Sequence, residues 1–110
     1  MSDPVAAALR ELRREYHAEG PARVAELEAA LTALREGDET AETTLTMLCH
    51  RLAGSGGAYG FPEVSVAARS MEQLLRSEPH WTAERLAVVE SGIRQIAEAF
   101  ERGGADRDAV

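Results

Sequence analysis

The chain contains no lysine: all 12 of its fixed positive charges are arginines, an absence to which no function attaches by itself. Aromatic residues make up only 5% of the sequence, which weighs against a β-sandwich and for helices packed through aliphatic contacts. A single cysteine, Cys49, excludes an internal disulfide and makes the cytosol the simplest compartment. No run of about 18 apolar residues occurs, so no membrane-spanning helix is expected. The opening MSDPVAAALRELRREY is too charged for a signal peptide. Positive charge is in deficit overall, with a net charge of −7, and no arginine cluster offsets it. Arg13 and Arg14 are followed at once by Glu15. A nucleic-acid partner, which needs a basic face, is therefore not expected.

What is present is a 110-residue chain, 45% hydrophobic, long enough for one domain with one core. Its punctuation divides it into helical segments. Ser2 or Asp3 can cap a first helix with Pro4 in its first turn, and Val5, Leu9, Leu12 and Tyr16 follow at helical spacing. Gly20 and Pro21 predict a stop and a restart. Val24, Leu27, Leu31 and Leu34 then share a face, and Asp38 or Thr40 offers the next cap. Leu45, Leu48, Cys49 and Leu52 form a third stripe, ended by a glycine run and Gly60-Phe61-Pro62. Val66, Ala67, Met71, Leu74 and Leu75 form a fourth, broken by SEPHW. Leu86, Val89, Ile93, Ile96 and Phe100 form a fifth.

No segment alternates with period two for long, so strands are not expected. The reading is all-α: a single-domain antiparallel four-helix bundle with an additional short N-terminal helix. The short helix covers about residues 3–18, the bundle helices about 21–36, 39–57, 62–77 and 81–102, and a frayed tail 103–110.

The third stripe also locates what is not core. At 100° per residue His50 points roughly 150° from the centre of that stripe, toward solvent. Residues three and four apart share a face, so Thr46, Met47, Ala53 and Gly54 surround it. Side chains lean toward the helix N-terminus, which sets the ring over Thr46 and Met47. Behind it Ala53, Gly54 and Gly57 are small, leaving an imidazole that a partner surface can approach. Glycine inside a helix costs about 0.5–1 kcal/mol relative to alanine. Gly60 is explained as a turn residue, but Gly54 stands where the apolar spacing carries the helix onward. Keeping the approach to His50 open is a reason to place it there.

The stretch HRLAGSGGAYG, His50 to Gly60, resembles the signature of histidine phosphotransfer (HPt) domains. His50, Leu52, Gly54, Ser55 and Gly60 match that signature in type and spacing, and Met71-Glu72 stands where the following helix commonly has Leu-Glu. The resemblance implies a phosphorelay carrier and not an enzyme with its own ATP site. His50 would accept a phosphoryl group through Nε2 from a receiver-domain aspartyl phosphate or a hybrid histidine kinase and pass it on. A free imidazole, with its pKa of about 6.5, is a competent neutral nucleophile near pH 7. The implied partners are response-regulator receivers or kinases, with no cofactor of its own, Mg²⁺ coming from the receiver, and a monomeric state. Thr46, Met47, Arg51, Ala53, Gly54 and Gly57 are the expected docking patch, in which Met47 offers a flexible thioether.

The chain departs from the family in one place: Ala53 stands where a lysine is common. Arg51 lies about 100° off the His50 direction and is a poor replacement. Either the domain stabilises its phosphohistidine less, or the receiver supplies the charge. The competing reading is a non-catalytic module of the same fold that docks a receiver or kinase without carrying phosphate.

The remaining candidates are structural. GSGGAYG lacks the Lys-Ser or Lys-Thr of a P-loop, and no strand precedes it as a dinucleotide fingerprint requires. Cys49 is expected to be a buried thiol, Ser55 to pack or cap locally, and Tyr59 and Phe61 to pack at the interhelical turn. His17 and His80 are expected to be solvated.

Overall fold

The computed structural model describes residues 3–77 and 80–108. Glu78 and Pro79, within the expected SEPHW break, fall outside them, as do Ser2 and the last two residues of the tail. Four helices follow one another: α1 (Pro4–Arg35), α2 (Ala41–Ala58), α3 (Pro62–Ser77) and α4 (Ala83–Asp108). No strand occurs among the described residues. Each helix packs on its two neighbours around a ring, α1 against α2 and α4, and α3 against α2 and α4. The short connections make sequential helices antiparallel. The bundle is slender, 56 × 21 × 21 Å, and none of its described helices is long and apolar enough to cross a membrane.

The predicted stripes supply most of the core: Leu27 and Leu31 from α1, Leu45, Cys49 and Leu52 from α2, Met71 and Leu75 from α3, and Val89, Ile93, Ile96 and Phe100 from α4. On α3 Val64 and Ala68 join it from outside the expected stripe, whose Val66 is exposed. Asp3 caps α1, its side chain accepting from the Val5 amide at 2.9 Å, with Pro4 as the first helical residue. In the connection between α1 and α2 Asp38 Oδ1 accepts from the Thr40 amide at 2.8 Å and the Thr40 hydroxyl at 2.7 Å. These two bonds hold the Asp38 carboxyl below its ordinary pKa.

The expected break at Gly20-Pro21 is absent: α1 runs through both residues, and the separate short helix is its first half. Gly20 is buried, and a Cβ there would stand 3.0 Å from the Phe100 ring. The glycine therefore thins α1 where α4 crosses it, a reason invisible from α1 alone. Pro21 lacks the N–H that would bond the His17 carbonyl, a loss of about 3 kcal/mol in a helix interior. Of the first stripe only Tyr16 is buried, at 4% exposure, while Val5, Leu9 and Leu12 are open because α1 outruns its neighbours.

The tail differs too, since α4 continues to Asp108 instead of fraying from residue 103. A Cβ on Gly103 would run into the Phe61 ring, and one on Gly104 into His17. That paired glycine seats two rings and does not end the helix. His17 is accordingly packed, not solvated, and stacks on Phe61 at 6.1 Å between centroids. His80 is exposed, and its carbonyl accepts from Arg85 Nη1 at 2.8 Å.

Arg85, only 6% exposed, closes the α3–α4 connection. Its Nη2 donates to the Leu74 and Leu75 carbonyls at 2.8 and 3.2 Å, satisfying the end of α3, and its guanidinium lies over the Trp81 ring.

Candidate functional site

The α2–α3 hairpin positions the site. Gly60 adopts φ +82°, a left-handed turn conformation, and Phe61 folds inward with its amide donating to the Gly56 carbonyl at 2.6 Å. The crossing is close because Gly56 has no side chain. A Cβ there would stand 2.9 Å from the Ser65 amide nitrogen and 3.1 Å from the Phe61 carbonyl oxygen. Below the turn, Tyr16 stacks on Tyr59 at 4.9 Å, packs on Phe61, and shares a 2.8 Å hydrogen bond with the Ser55 hydroxyl. Burial pushes the Tyr16 phenol above its ordinary pKa. Tyr59 and Phe61 thus pack at the turn as their positions predict.

His50 faces outward from α2 with 72% of its side chain exposed. Directly behind it Cys49 is fully buried, its thiol pushed up to about 12 by burial and then by the charge of Glu72. The imidazole has a partner on the neighbouring helix. Its Nδ1 lies 3.0 Å from Oε2 of Glu72 on α3. That carboxylate, only 14% exposed, also accepts from Arg76 one turn further along α3, at 2.8 Å to the same oxygen. A carboxylate can only accept, so Nδ1 is the donor in this contact and Nε2 points away from Glu72.

A groove of about 680 Å³ opens beside the ring, lined by residues including Glu42, Thr46, Met47, His50, Leu75 and Arg76. Met47 is 43% exposed in it. The Thr46 hydroxyl donates to the Glu42 carbonyl at 2.8 Å and is committed to its own helix. Arg51 is exposed and does not line the groove. Gly54 is exposed with nothing within 4 Å of where a Cβ would stand, so the fold itself places no demand for glycine there. Gly57 is also exposed, and a Cβ would meet only the Ser65 side chain at 3.7 Å, an ordinary contact.

Ala53 differs from its expected place in the patch: it is 7% exposed and part of the core. The close crossing at Gly56 brings α3 over this side of α2, so the buried arc extends from Cys49 through Leu52 and Ala53 to Gly56. The buried Ser65 hydroxyl donates to the Ala53 carbonyl at the same crossing.

Periodicity on α2 gives no hint of Glu72 or Arg76 as neighbours of His50. The available signal is the short turn at Gly60, which forces α3 back along α2 and sets residues about equally far from the turn side by side. Among the described residues no group of three or more His, Cys, Asp or Glu side chains could hold a metal ion. A family model described as Hpt domain matches residues 11–103, a span that takes in His50, Glu72 and Arg76. No curated protein and no solved structure matches the chain.

Proposed function

The chain belongs to the Hpt domain family, whose members have phosphotransfer-related roles in two-component signalling, and on that premise we propose that His50 carries a phosphoryl group in a phosphorelay. The observation that carries this reading is the Glu72 bond to Nδ1, which orients the ring and frees Nε2 on an exposed surface. A residue exposed only by default would need no such partner.

The Nε2 lone pair attacks the phosphorus of a receiver aspartyl phosphate. The P–O bond to the aspartate breaks, and its electron pair returns to the aspartate carboxylate. The product ring keeps its Nδ1–H and becomes a cation, which the Glu72 carboxylate neutralises. That cation is also the better leaving group for the return transfer, so a fixed Nδ1–H serves both directions. Phosphoryl transfer depends on in-line positioning and charge neutralisation. The chain offers the first through Glu72, and Mg²⁺ comes with the receiver. The protein acts as a carrier in the cytoplasm, without nucleotide chemistry of its own. Met47 and the groove beside it form part of the docking face, with Thr46, Arg51, Gly54 and Gly57 around it.

The test is incubation with a radiolabelled phospho-receiver. We expect an acid-labile label on the wild type, none on His50→Gln, and a rate about tenfold lower on Glu72→Ala, in line with loss of a charge-assisted hydrogen bond. Binding without label would instead favour the docking-only module. Label retained in His50→Gln would remove His50 from the chemistry.

A further inference from the structure

We propose that Arg76, reaching across from α3, supplies the cation that stabilises the phosphoryl group on His50. This rests on the reading of His50 as the carrier and adds a positioning residue to it.

The argument begins with charge. A phosphoryl group on Nε2 brings a dianion to a ring whose other nitrogen is held by the Glu72 carboxylate. The ring cation and the Glu72 carboxylate cancel each other, which leaves the phosphoryl dianion without a counter-charge from either. The same Glu72 oxygen that meets Nδ1 at 3.0 Å also meets the Arg76 guanidinium at 2.8 Å, so cation and ring are already gathered on one atom. The groove supplies an independent observation: Arg76 and His50 both line it, on the side of the ring toward Thr46 and Met47.

Helix geometry makes the approach natural. Helical side chains lean toward their own N-terminus. On α2 that lean carries His50 toward Thr46 and Met47. On the antiparallel α3 it carries Arg76 back toward Glu72. The two side chains therefore converge. Arg76 is 65% exposed, and an exposed ion pair is weakly held. Its guanidinium can turn from Glu72 to the phosphoryl oxygens at small cost, and its planar fork matches two of them.

The other nearby positions do not offer this. Ala53 has no charge and is buried. Arg51 does not line the groove. Arg69, on the other side of Glu72 along α3, has its Nη2 3.4 Å from the Ser65 hydroxyl and leans away from the ring.

The experiment uses phosphoramidate as donor, so that no receiver surface is involved. Nε2 attacks phosphorus, the P–N bond breaks, and ammonia leaves after protonation by water. Phosphohistidine formation on the full chain is followed by ³¹P NMR, and the phosphoryl resonance is then titrated with pH. We expect Arg76→Gln to slow formation about fivefold, the scale of one partly exposed charge-assisted hydrogen bond. It should also raise the pKa of the phosphoryl group, since an adjacent cation favours the dianion. Arg76→Lys should recover part of both effects, because it restores the charge but not the fork, and Arg69→Gln should match the wild type. Equal rate and titration in Arg76→Gln and wild type would overturn the proposal while leaving His50 as carrier. Equal slowing by Arg69→Gln would reduce the effect to general surface charge and also overturn it. A wild type that accepts phosphate neither here nor from a receiver would overturn the carrier reading and this proposal with it.

Discussion

Three glycines within four residues of α2 should respond to alanine in different ways. Gly54, Gly56 and Gly57 share one helix and one intrinsic penalty, so alanine at any of them gains about 0.5–1 kcal/mol of helix propensity. At Gly54 nothing lies within 4 Å of the new methyl, so that gain stands alone and Gly54→Ala should stabilise the domain. At Gly57 the methyl meets the Ser65 side chain at 3.7 Å, a tolerable contact, and a smaller gain is expected. At Gly56 the nearest atoms are backbone, the Ser65 nitrogen at 2.9 Å and the Phe61 oxygen at 3.1 Å. Neither can yield without moving the first turn of α3. Overpacking of this kind costs roughly 1–3 kcal/mol, which leaves a net loss of up to about 2.5 kcal/mol after the propensity gain. Thermal unfolding followed at 222 nm separates the cases, because 1 kcal/mol shifts the midpoint by roughly 4 °C in a domain of this length. Gly54→Ala should melt higher and Gly56→Ala lower than the wild type. The two moving the same way would refute the account of the α2–α3 crossing. Gly54→Gln carries the functional half. It should slow transfer from a receiver while leaving phosphoramidate labelling unchanged, because only the large donor needs the space. Equal rates from the receiver would leave Gly54 without an explanation.

Replacing Arg85 with methionine removes three bonds to carbonyls at the α3–α4 connection and should cost about 2–4 kcal/mol in urea unfolding; a loss below 0.5 kcal/mol, on the scale of ordinary surface substitutions, would mean the carbonyls are equally well served by water. Pro21→Ala restores an interior N–H to α1 and should raise the melting temperature, whereas a lower one would show that the Gly20–Phe100 contact depends on the proline's local geometry. Cys49 keeps its proton to about pH 12 in the fold against an ordinary value of 9.0, so the folded state binds more protons across that interval. Stability should be flat with respect to this group below pH 9 and fall above it by up to about 1.4 kcal/mol per pH unit. Cys49→Val should flatten the onset, leaving a decline above pH 10 from Tyr16, whose phenol is raised in the same direction. An unchanged alkaline profile in that variant would exclude the thiol as its source.

The sequence made most of the fold legible wherever a local pattern and its tertiary use coincide. The stripes of α2 and α4 reappear as core, the left-handed turn falls at Gly60, and His50 stands opposite the stripe that contains Cys49. The differences arise where one residue type serves two purposes. Gly20 and the Gly103-Gly104 pair look like terminators along the chain, yet each is small because a ring from another helix lies against it. Val5, Leu9 and Leu12 have the spacing of a buried face and stay exposed because no described helix extends alongside them. Ala53 fails for a related reason: helical spacing assigns it to the His50 face, but the close crossing at Gly56 widens the buried arc. Glu72 was visible as part of a motif and not as a contact, since its distance from His50 follows from the register of two antiparallel helices.

That register also explains why a modest site suits a carrier. Nothing covers His50, and its two charged neighbours meet at a single carboxylate oxygen. A buried, fully coordinated phosphohistidine would be a stable endpoint, because a low-dielectric cradle strengthens every contact made to the phosphoryl group. On the reading of His50 as carrier, the exposed arrangement does the opposite. Glu72 fixes which nitrogen reacts without enclosing the product. Arg76 offers a charge that water and salt partly screen, enough to offset part of the phosphoryl charge and too weak to hold the phosphoryl group against a receiver that arrives with its own metal ion. Strengthening the site should therefore impair onward transfer. Leu75, beside Arg76 in the groove, is buried and unsuited to a charge, but Thr43 is exposed on its rim. Thr43→Arg should lengthen the lifetime of the phosphorylated protein and slow delivery to a receiver. Faster delivery together with a longer lifetime would refute the view that this site works by holding its cargo loosely.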